Sequence, residues 1–368
     1  MSNLIPYFNQ VLIISPEPWD GHFVSKHHYA VTLSKTGSHV YFLSPPDNSL
    51  SDLLVKKTKY TNLWEIKSPK LTKGLRFYPS FIRRMIENKW LKSLEQKIGS
   101  KFTTIWLFEN SRFYNMGFAN NRLKIYHQVD LNQNFHEITA SKTADIVFCT
   151  SDIIKNVLKA HCRYIYKIHH AVANFDVSKL ANMYKDMITK DIINAAYIGN
   201  LRMGYLDVEL LLNVVKSFPH VIFHFVGTCN KDEPLYLACT GLDNVKWWGR
   251  VDSSDIPSIL NSVDVLLLTY QTAHYKDQSS PHKVMEYLAS GKVTVATYTD
   301  EYKDKSELLE MVDKNSEYLS KFDTVINDLV NYNSTEKQKI RKTFANEHTY
   351  EKQLSKIVFH LKTNNLIN

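Results

Sequence analysis

Short apolar runs alternate with longer amphipathic stretches along most of this 368-residue chain, and that alternation restricts the fold more than any other feature. Residues 11–15, 40–43, 104–108, 124–126, 145–150 and 164–168 read as strands with helices between them, Ser151 capping one of those helices. A second series follows at 195–198, 221–226, 245–248, 263–268 and 293–297, with helices from about Leu206, Pro257 and Pro281. Runs this short and apolar suit strands buried on both faces, and strands alternating with helices make a parallel sheet covered on both sides. The length also points to two domains, because a single core stops growing below about 300 residues. Periodicity weakens between Ala173 and Asp191, which marks a linker. Residues 1–175 are therefore expected to form one doubly wound domain and 193–345 another, joined by 176–192. The last stretch, 346–368, reads as helix and is expected to pack back on the first domain. The tail from about Ser334 to Leu361 is helical and mixed in charge on this reading.

Hydrophobic content of 44% and 22% charged residues are those of a water-soluble globular chain. No apolar run reaches the eighteen or so residues of a membrane span, and the N-terminus lacks a basic segment followed by an apolar one, so a cytoplasmic location is expected. Four cysteines without C-x-x-C spacing carry no disulfide or zinc framework. His22, His27 and His28 lack H-E-x-x-H spacing, which leaves them to cap, pack or touch substrate rather than hold a metal.

The net charge of +8 is concentrated. Residues 56–101 hold thirteen basic side chains against Glu65, Glu87 and Glu95, interleaved with Phe77, Tyr78, Phe81, Ile82, Met85, Ile86 and Trp90. Cations mixed with large apolar groups suit an anionic membrane surface; an ordinary amphipathic core helix is the plainer reading. Nucleic acid is the weakest partner, since no helix-turn-helix, zinc finger or RNP-like pattern accompanies the charge.

The most informative single stretch is 270–297. An apolar strand leads into a polar loop; Ser279 or Ser280 is expected as N-cap, Pro281 as the first helical residue, and Gly291 as a left-handed C-cap before the next strand. If the two strands are parallel neighbours, this helix opens at the carboxyl edge of the sheet, where its free amides suit a phosphate. Lys283 and Glu286, three apart, share a face: one neutralises phosphate, the other accepts from sugar hydroxyls. Ser-Pro and Gly are also ordinary helix punctuation, and Lys-x-x-Glu an ordinary surface pair, so the stretch alone does not decide. Gly199, Gly227 and Gly249 each follow a strand directly, where a backbone can approach a ligand.

These pieces resemble the retaining glycosyltransferases of the GT-B architecture, the glycogen-synthase-like group that includes bacterial surface polysaccharide enzymes. The segment Ser280-Pro281-His282-Lys283-Val284-Met285-Glu286-Tyr287-Leu288-Ala289-Ser290-Gly291 is similar to that family's P-x-K-x-x-E-Y-x-A-x-G. Tyr197-Ile198-Gly199-Asn200-Leu201-Arg202, Trp248-Gly249-Arg250-Val251, and Thr143-Ala144-Asp145-Ile146-Val147 resemble further stretches of it. The resemblance implies an α/β fold of GT-B type, two doubly wound Rossmann-like domains facing across a cleft, the first for the acceptor and the second for the nucleotide sugar.

It also implies a donor set of Gly199, Arg202, Gly227, Gly249, Arg250, Ser279, Ser280, Lys283 and Glu286. Glu286 matches the second acid of the family's Glu-x7-Glu pattern, which holds the ribose; the first position is Gln278, with Asp277 beside it. Gln278 is expected at the reacting centre with His127 and Asp130 of the first domain. The Lys usual a few residues after Arg202 is missing, a gap that Lys283 partly fills. The implied reaction moves a hexosyl group from a UDP- or GDP-linked sugar to a glycan or lipid-linked acceptor, with retention. No cofactor is expected, and the lack of an Asp-x-Asp motif points to a metal-independent reaction. A nucleotide-sugar 2-epimerase and a catalytically silent, glycosyltransferase-like binding subunit are the alternatives.

Overall fold

The strand at Gln10–Ile14 (β1) starts a run of buried Val, Leu and Ile, and its neighbours are recruited on both sides because no face of it is polar. The computed structural model describes residues 7–21, 23–131, 136–173, 188, 191–275 and 280–367. The chain divides into two units, Met1–His169 with Tyr350–Asn368, and His170–Thr349. Gln278 and Ser279, Asp277, His22 and nearly all of 176–192 lie outside the described residues.

The first unit holds β1, His39–Leu43 (β2), Leu54–Lys57 (β3), Leu63–Lys67 (β4), Thr104–Leu107 (β5), Leu123–Gln128 (β6), Ile146–Cys149 (β7) and Ile165–Lys167 (β8). They lie in the order β3-β4-β2-β1-β5-β6-β7-β8, parallel except for the β3–β4 hairpin at one edge. That hairpin escaped the sequence reading because β3 reads Leu-Val-Lys-Lys and is mostly exposed. An edge strand that must not pair with another chain carries lysines rather than an apolar run. The strands of the alternating series appear within a residue or two of their expected ends. Ser151 caps its helix as expected, its hydroxyl accepting from the Ile154 amide at 3.3 Å.

The second unit holds Ile193–Ile198 (β9), Val221–Val226 (β10), Val245–Gly249 (β11), Val265–Leu268 (β12), Val293–Ala296 (β13) and Glu310–Met311 (β14), all parallel, in the order β11-β10-β9-β12-β13-β14. Successive residues face opposite layers: Ala195 and Tyr197 pack with Leu211, Phe223 and Phe322, whereas Ala196 and Ile198 pack with Ile259, Leu260 and Tyr287. Both faces of this sheet are thus buried under helices, which is why its strands lack the polar alternation of a half-exposed sheet. Counted from β9, the order is that of a dinucleotide-type doubly wound sheet, with the strand order reversing between β9 and β12; ligands of such folds bind beyond the carboxyl ends of the strands at that reversal.

The tail holds two helices. Thr335–Asn346 belongs to the second unit and Tyr350–Thr363 to the first. The break at 347–349 follows from a competing use of the backbone: the Val172 amide donates to the His348 carbonyl at 3.1 Å, and Val172 and Thr349 form a parallel bridge. Within the first unit Tyr350 stacks on His28 at 4.8 Å and meets Tyr29 edge-on at 5.0 Å, fixing the last helix to the helix Ser25–Lys35. Among the described residues, no helix is long and apolar enough to cross a membrane.

Candidate functional site

At the reversal point of the second unit, three strands end in glycines and the backbones beyond them touch. The Gly199 amide donates to the Val226 carbonyl and the Gly227 amide to the Gly249 carbonyl, both at 2.8 Å. Gly199 and Gly227 have φ of +143° and +142°, a region that side-chain-bearing residues rarely enter. A Cβ on Gly227 would lie 1.8 Å from the Gly199 carbonyl oxygen, and one on Gly199 would lie 2.6 Å from Lys283 Nζ. Packing against backbone requires glycine at 227, whereas at 199 the neighbour is the movable end of a lysine and the backbone conformation is what favours glycine.

The helix Lys283–Ser290 ends at Gly291 in the left-handed conformation, as its sequence predicts. Its start differs from expectation. The N-cap is His282, with no side-chain capping bond, and Ser280 is buried two residues upstream. Pro281 opens a tight turn instead, its carbonyl accepting from the Val284 amide at 3.1 Å, so the helix begins after proline rather than at it. Ser280 supplies no cap, Ser279 lies outside the described residues, and the Lys283 amide has no acceptor among the described residues.

Each motif residue on this helix has a physical role. Tyr287, buried, accepts from the Ile198 amide at 2.9 Å and donates to the Ile198 carbonyl at 3.3 Å, clamping the end of β9 beside Gly199. Lys283 donates to the Tyr197 hydroxyl at 2.7 Å, and its ammonium lies 3.9 Å from the Tyr197 ring centroid and 5.6 Å from that of Tyr270. Two aromatic faces therefore hold the cation over Gly199. Burial lowers its pKa from 10.5 to about 7, against the pull of Glu286. Burial likewise raises the Glu286 carboxyl from 4.5 to about 7, opposed by Lys283. Among the described residues the Glu286 carboxylate makes no hydrogen bond and no ion pair. A partly buried carboxylate with open acceptors and a cation one turn away is costly unless a ligand with hydroxyls and negative charge completes the site.

The remaining donor candidates are disposed unevenly. Arg202, in the loop after β9, is exposed and its Nε donates to Glu233 at 2.7 Å. Arg250 is exposed at the end of β11, next to Gly249 (φ +63°). Lys283 and Gly199 are brought into contact; Gln278 and Ser279 are not described.

In the first unit, His127 lies on β6 with 1% exposure, stacked on Phe108 at 5.0 Å and packed with Tyr29 at 5.5 Å. That is the environment of a core histidine. Asp130, beyond the strand's carboxyl end, is exposed. A chain of bonds fixes its backbone: Asn110 to the Tyr126 hydroxyl, that hydroxyl to Gln128, and Gln128 Nε2 to the Asp130 carbonyl at 3.2 Å. His27 acts as a cap: its Nδ1 accepts from the Val24 amide at 3.2 Å and its Nε2 lies 3.0 Å from the Pro18 carbonyl. Among the described residues no cluster of His, Cys, Asp and Glu has metal-binding geometry.

Sequence reasoning places the polar run Glu109 to Arg112 at a strand's carboxyl end without giving it a role, and the structure sets it at this unit's own reversal point, between β1 and β5. There Arg112 pairs with Glu109 and donates to the carbonyls of Ser15 (2.8 Å) and Ser44 (3.3 Å), while buried Lys26 meets Glu17 at 2.6 Å. Burial pushes the Glu109 carboxyl up to about 7, with Arg112 opposing. The signal available in sequence was the run Glu109-Asn110-Ser111-Arg112 at a strand end. Tyr197 and Tyr270, which hold the lysine, gave no signal, because aromatic residues at strand ends look like core.

Residues 193–328 match the family of glycosyl transferases group 1. A putative teichuronic acid biosynthesis glycosyltransferase, TuaH of Bacillus subtilis (strain 168), is 26% identical over 169 residues, which are 44% of this chain and 42% of that protein; the chain thus spans less than half the length of this relative. The sucrose-phosphate synthase of Thermosynechococcus elongatus superimposes with a TM-score of 0.71 at 13% identity, covering 96% of this chain and 98% of that one. HepE of Anabaena, in complex with UDP-glucose, superimposes with a TM-score of 0.69 at 14% identity, covering 96% and 99%. The chain has the two-domain GT-B fold shared with these structures, and its residues 193–328 match the model of the glycosyl transferases group 1 family.

Proposed function

We propose that the protein transfers a hexosyl group from a nucleoside-diphosphate sugar to a hydroxyl of a glycan or lipid-linked acceptor in surface polysaccharide synthesis. One observation carries the reading: at the strand-order reversal of the second unit, the Lys283 ammonium is held over Gly199 and the Glu286 carboxylate, without a partner among the described residues, lies one turn along the same helix. The ammonium and the free amide at the start of the helix neutralise the diphosphate, and the carboxylate accepts from two ribose hydroxyls. HepE, whose fold this chain shares, is known with UDP-glucose, which favours a UDP-linked donor. The teichuronic acid relative favours a surface polymer as product.

In the proposed step the bond from the sugar's anomeric carbon to the diphosphate oxygen breaks and a bond to the acceptor oxygen forms. The acceptor proton leaves to the departing phosphate on the same face of the sugar, with retention, so neither a protein nucleophile nor a metal is called upon. Fixed positive charge around the leaving group lowers the barrier without reorganisation. Asp130 and Gln278 are assigned to the acceptor and the reacting sugar respectively; His127, inside its aromatic stack, is assigned to holding β6 in place.

The test is a thermal-shift panel of UDP, GDP, CDP and dTDP sugars, since a ligand that binds only the folded chain raises its melting temperature. One donor is expected to stabilise the protein, and Glu286→Ala and Arg202→Ala are each expected to abolish turnover of that donor with the fold intact. Unchanged activity in both variants would remove the site.

The acceptor side of the reading rests on the basic segment. Phe77, Phe81 and Met85 are 75%, 57% and 68% exposed, while the opposite side of the helix Ser80–Ile98 buries Arg83, Glu87, Leu91, Leu94 and Glu95. Arg83 packs over the Tyr114 ring and donates to its hydroxyl. The first two turns of this helix turn Phe81 and Met85 outward and Arg83 and Glu87 inward, the reverse of a core helix, and Arg76, Arg84, Lys89 and Lys92 are exposed in the same segment. This composition fits an anionic membrane, on which each cation contributes about 1 kcal/mol. Sedimentation with phosphatidylglycerol liposomes is expected at low salt, weakening as salt rises and in a Phe81→Ser/Met85→Ser double variant. Equal sedimentation with phosphatidylcholine, or none at low salt, would refute the membrane assignment.

A further inference from the structure

Beyond β12 and β13, against Tyr270, the second unit carries an open hollow of about 400 Å³ that the donor reading leaves unused. Tyr270, Thr272, Tyr275, Tyr298, Asp313 and Asn315 line it. We propose that this hollow is a saccharide subsite distinct from the diphosphate cradle, taking a neutral hexose unit of a glycan chain.

Three properties of the hollow converge on that ligand. The first is its rings. Tyr275 is 38% exposed, and it meets the partly buried Tyr298 at a 6.2 Å centroid separation and an interplanar angle of 66°. Two rings at such an angle make an apolar corner. A pyranose has one face of axial C–H groups, which packs on an aromatic ring while its hydroxyls remain free to bond at the rim. A membrane or protein partner would require a continuous apolar patch, whereas this hollow alternates rings with polar groups.

The second is its acceptors. The Asp313 carboxylate is exposed and makes no ion pair or hydrogen bond among the described residues. Asn315 is locked in place by its amide nitrogen, which donates to Asp207 at 2.7 Å and to the Tyr270 carbonyl at 2.9 Å. No donor among the described residues reaches its side-chain oxygen, which is left to accept. A fixed amide oxygen and an open carboxylate receive hydroxyl protons and repel anions, so uronic acids and sugar phosphates are disfavoured relative to neutral sugars.

The third is size and place. A hollow of this volume is at the small end of ligand sites, suited to one or two sugar units. It opens at the carboxyl edge of the same sheet that carries Lys283, with the Tyr270 ring common to both. A saccharide seated there lies alongside the donor, in reach of a chain to be extended.

The inference does not need the diphosphate assignment, and its test uses no nucleotide. Saturation-transfer NMR with glucose, galactose, N-acetylglucosamine, N-acetylgalactosamine and glucuronate is read on the full chain. At least one neutral sugar is expected to bind in the millimolar range, with glucuronate about tenfold weaker or more. Tyr298→Ala is expected to weaken the bound sugar about tenfold. Thr272→Trp, at an exposed position, fills the hollow and serves as a second variant should Tyr298→Ala fold poorly. Lys283→Ala is expected to leave saccharide binding unchanged, which separates this subsite from the donor cradle. No saturation transfer from any sugar up to about 50 mM, far above the millimolar range of a small open site, would overturn the proposal. So would undiminished binding in both hollow variants, or loss of binding in Lys283→Ala.

Discussion

Gly227→Ala is expected to lower the melting temperature of the second unit by roughly 10 °C, because the alanine methyl has no space that side-chain motion can provide. Its Cβ would sit 1.8 Å from the Gly199 carbonyl oxygen and 2.7 Å from the carbonyl carbon, both backbone atoms. Relief requires β9 and β10 to move apart where the Gly199 amide bonds to Val226 at 2.8 Å. Strain in φ adds to the clash, since +142° is a glycine conformation. Together these exceed about 3 kcal/mol, and at 2–4 °C per kcal/mol for a domain of this size the shift follows. Gly249→Ala is the internal control. It has φ of +63° and nothing within 4 Å of a built Cβ, so only the left-handed penalty of about 1–2 kcal/mol applies. Thermal unfolding followed by circular dichroism measures both; equal shifts would mean that the close approach of the two loops is not maintained in solution.

Lys283→Ala is expected to weaken binding of the nucleoside diphosphate by about 10–100-fold and to leave binding of the bare nucleoside unchanged, the range of a charge-assisted hydrogen bond lost from a partly buried site. The wild-type protein should reproduce part of that loss with pH. Its ammonium, lowered to about 7 by burial, loses its proton well before an ordinary lysine, so diphosphate affinity falls between pH 7 and 9. Bound phosphate favours the charged form and shifts the fall upward.

The same pair sets the pH dependence of the ligand-free fold. Between pH 4.5 and about 7 the folded state keeps a proton on Glu286 that the unfolded chain has released, so stability declines as pH rises through that window. From about 7 to 10.5 the unfolded chain holds a proton on Lys283 that the folded state has lost, so stability recovers as pH rises. The pair's contribution therefore passes through a minimum near pH 7, and Lys283→Met should flatten the alkaline limb. Calorimetric affinities and melting temperatures from pH 5 to 9 check both statements; a diphosphate affinity that is flat across this range would place the charge elsewhere.

Much of the second unit's core could be read from the chain alone, because strands buried on both faces are written as unbroken apolar runs such as Val265-Leu266-Leu267-Leu268. The left-handed cap at Gly291 was legible for a local reason, the glycine closing an amphipathic helix. The β3–β4 hairpin was not, since its outward faces are lysines. The helix start moved from the serines to His282 because a turn anchored on the Pro281 carbonyl competed with side-chain capping.

The site divides along the same line. Residue types and spacing determined that a cation and a carboxylate share one turn of a helix opening toward a parallel sheet, since a period of 3.6 residues acts within a single segment. Only the tertiary structure decided that the cation rests on Tyr197 above Gly199, that Gly227 must be bare while Gly249 need not be, and that His127 lies within a stack of aromatic rings. Those outcomes depend on which strands lie side by side. Strand order is settled by packing among segments far apart in the chain, which no local pattern encodes.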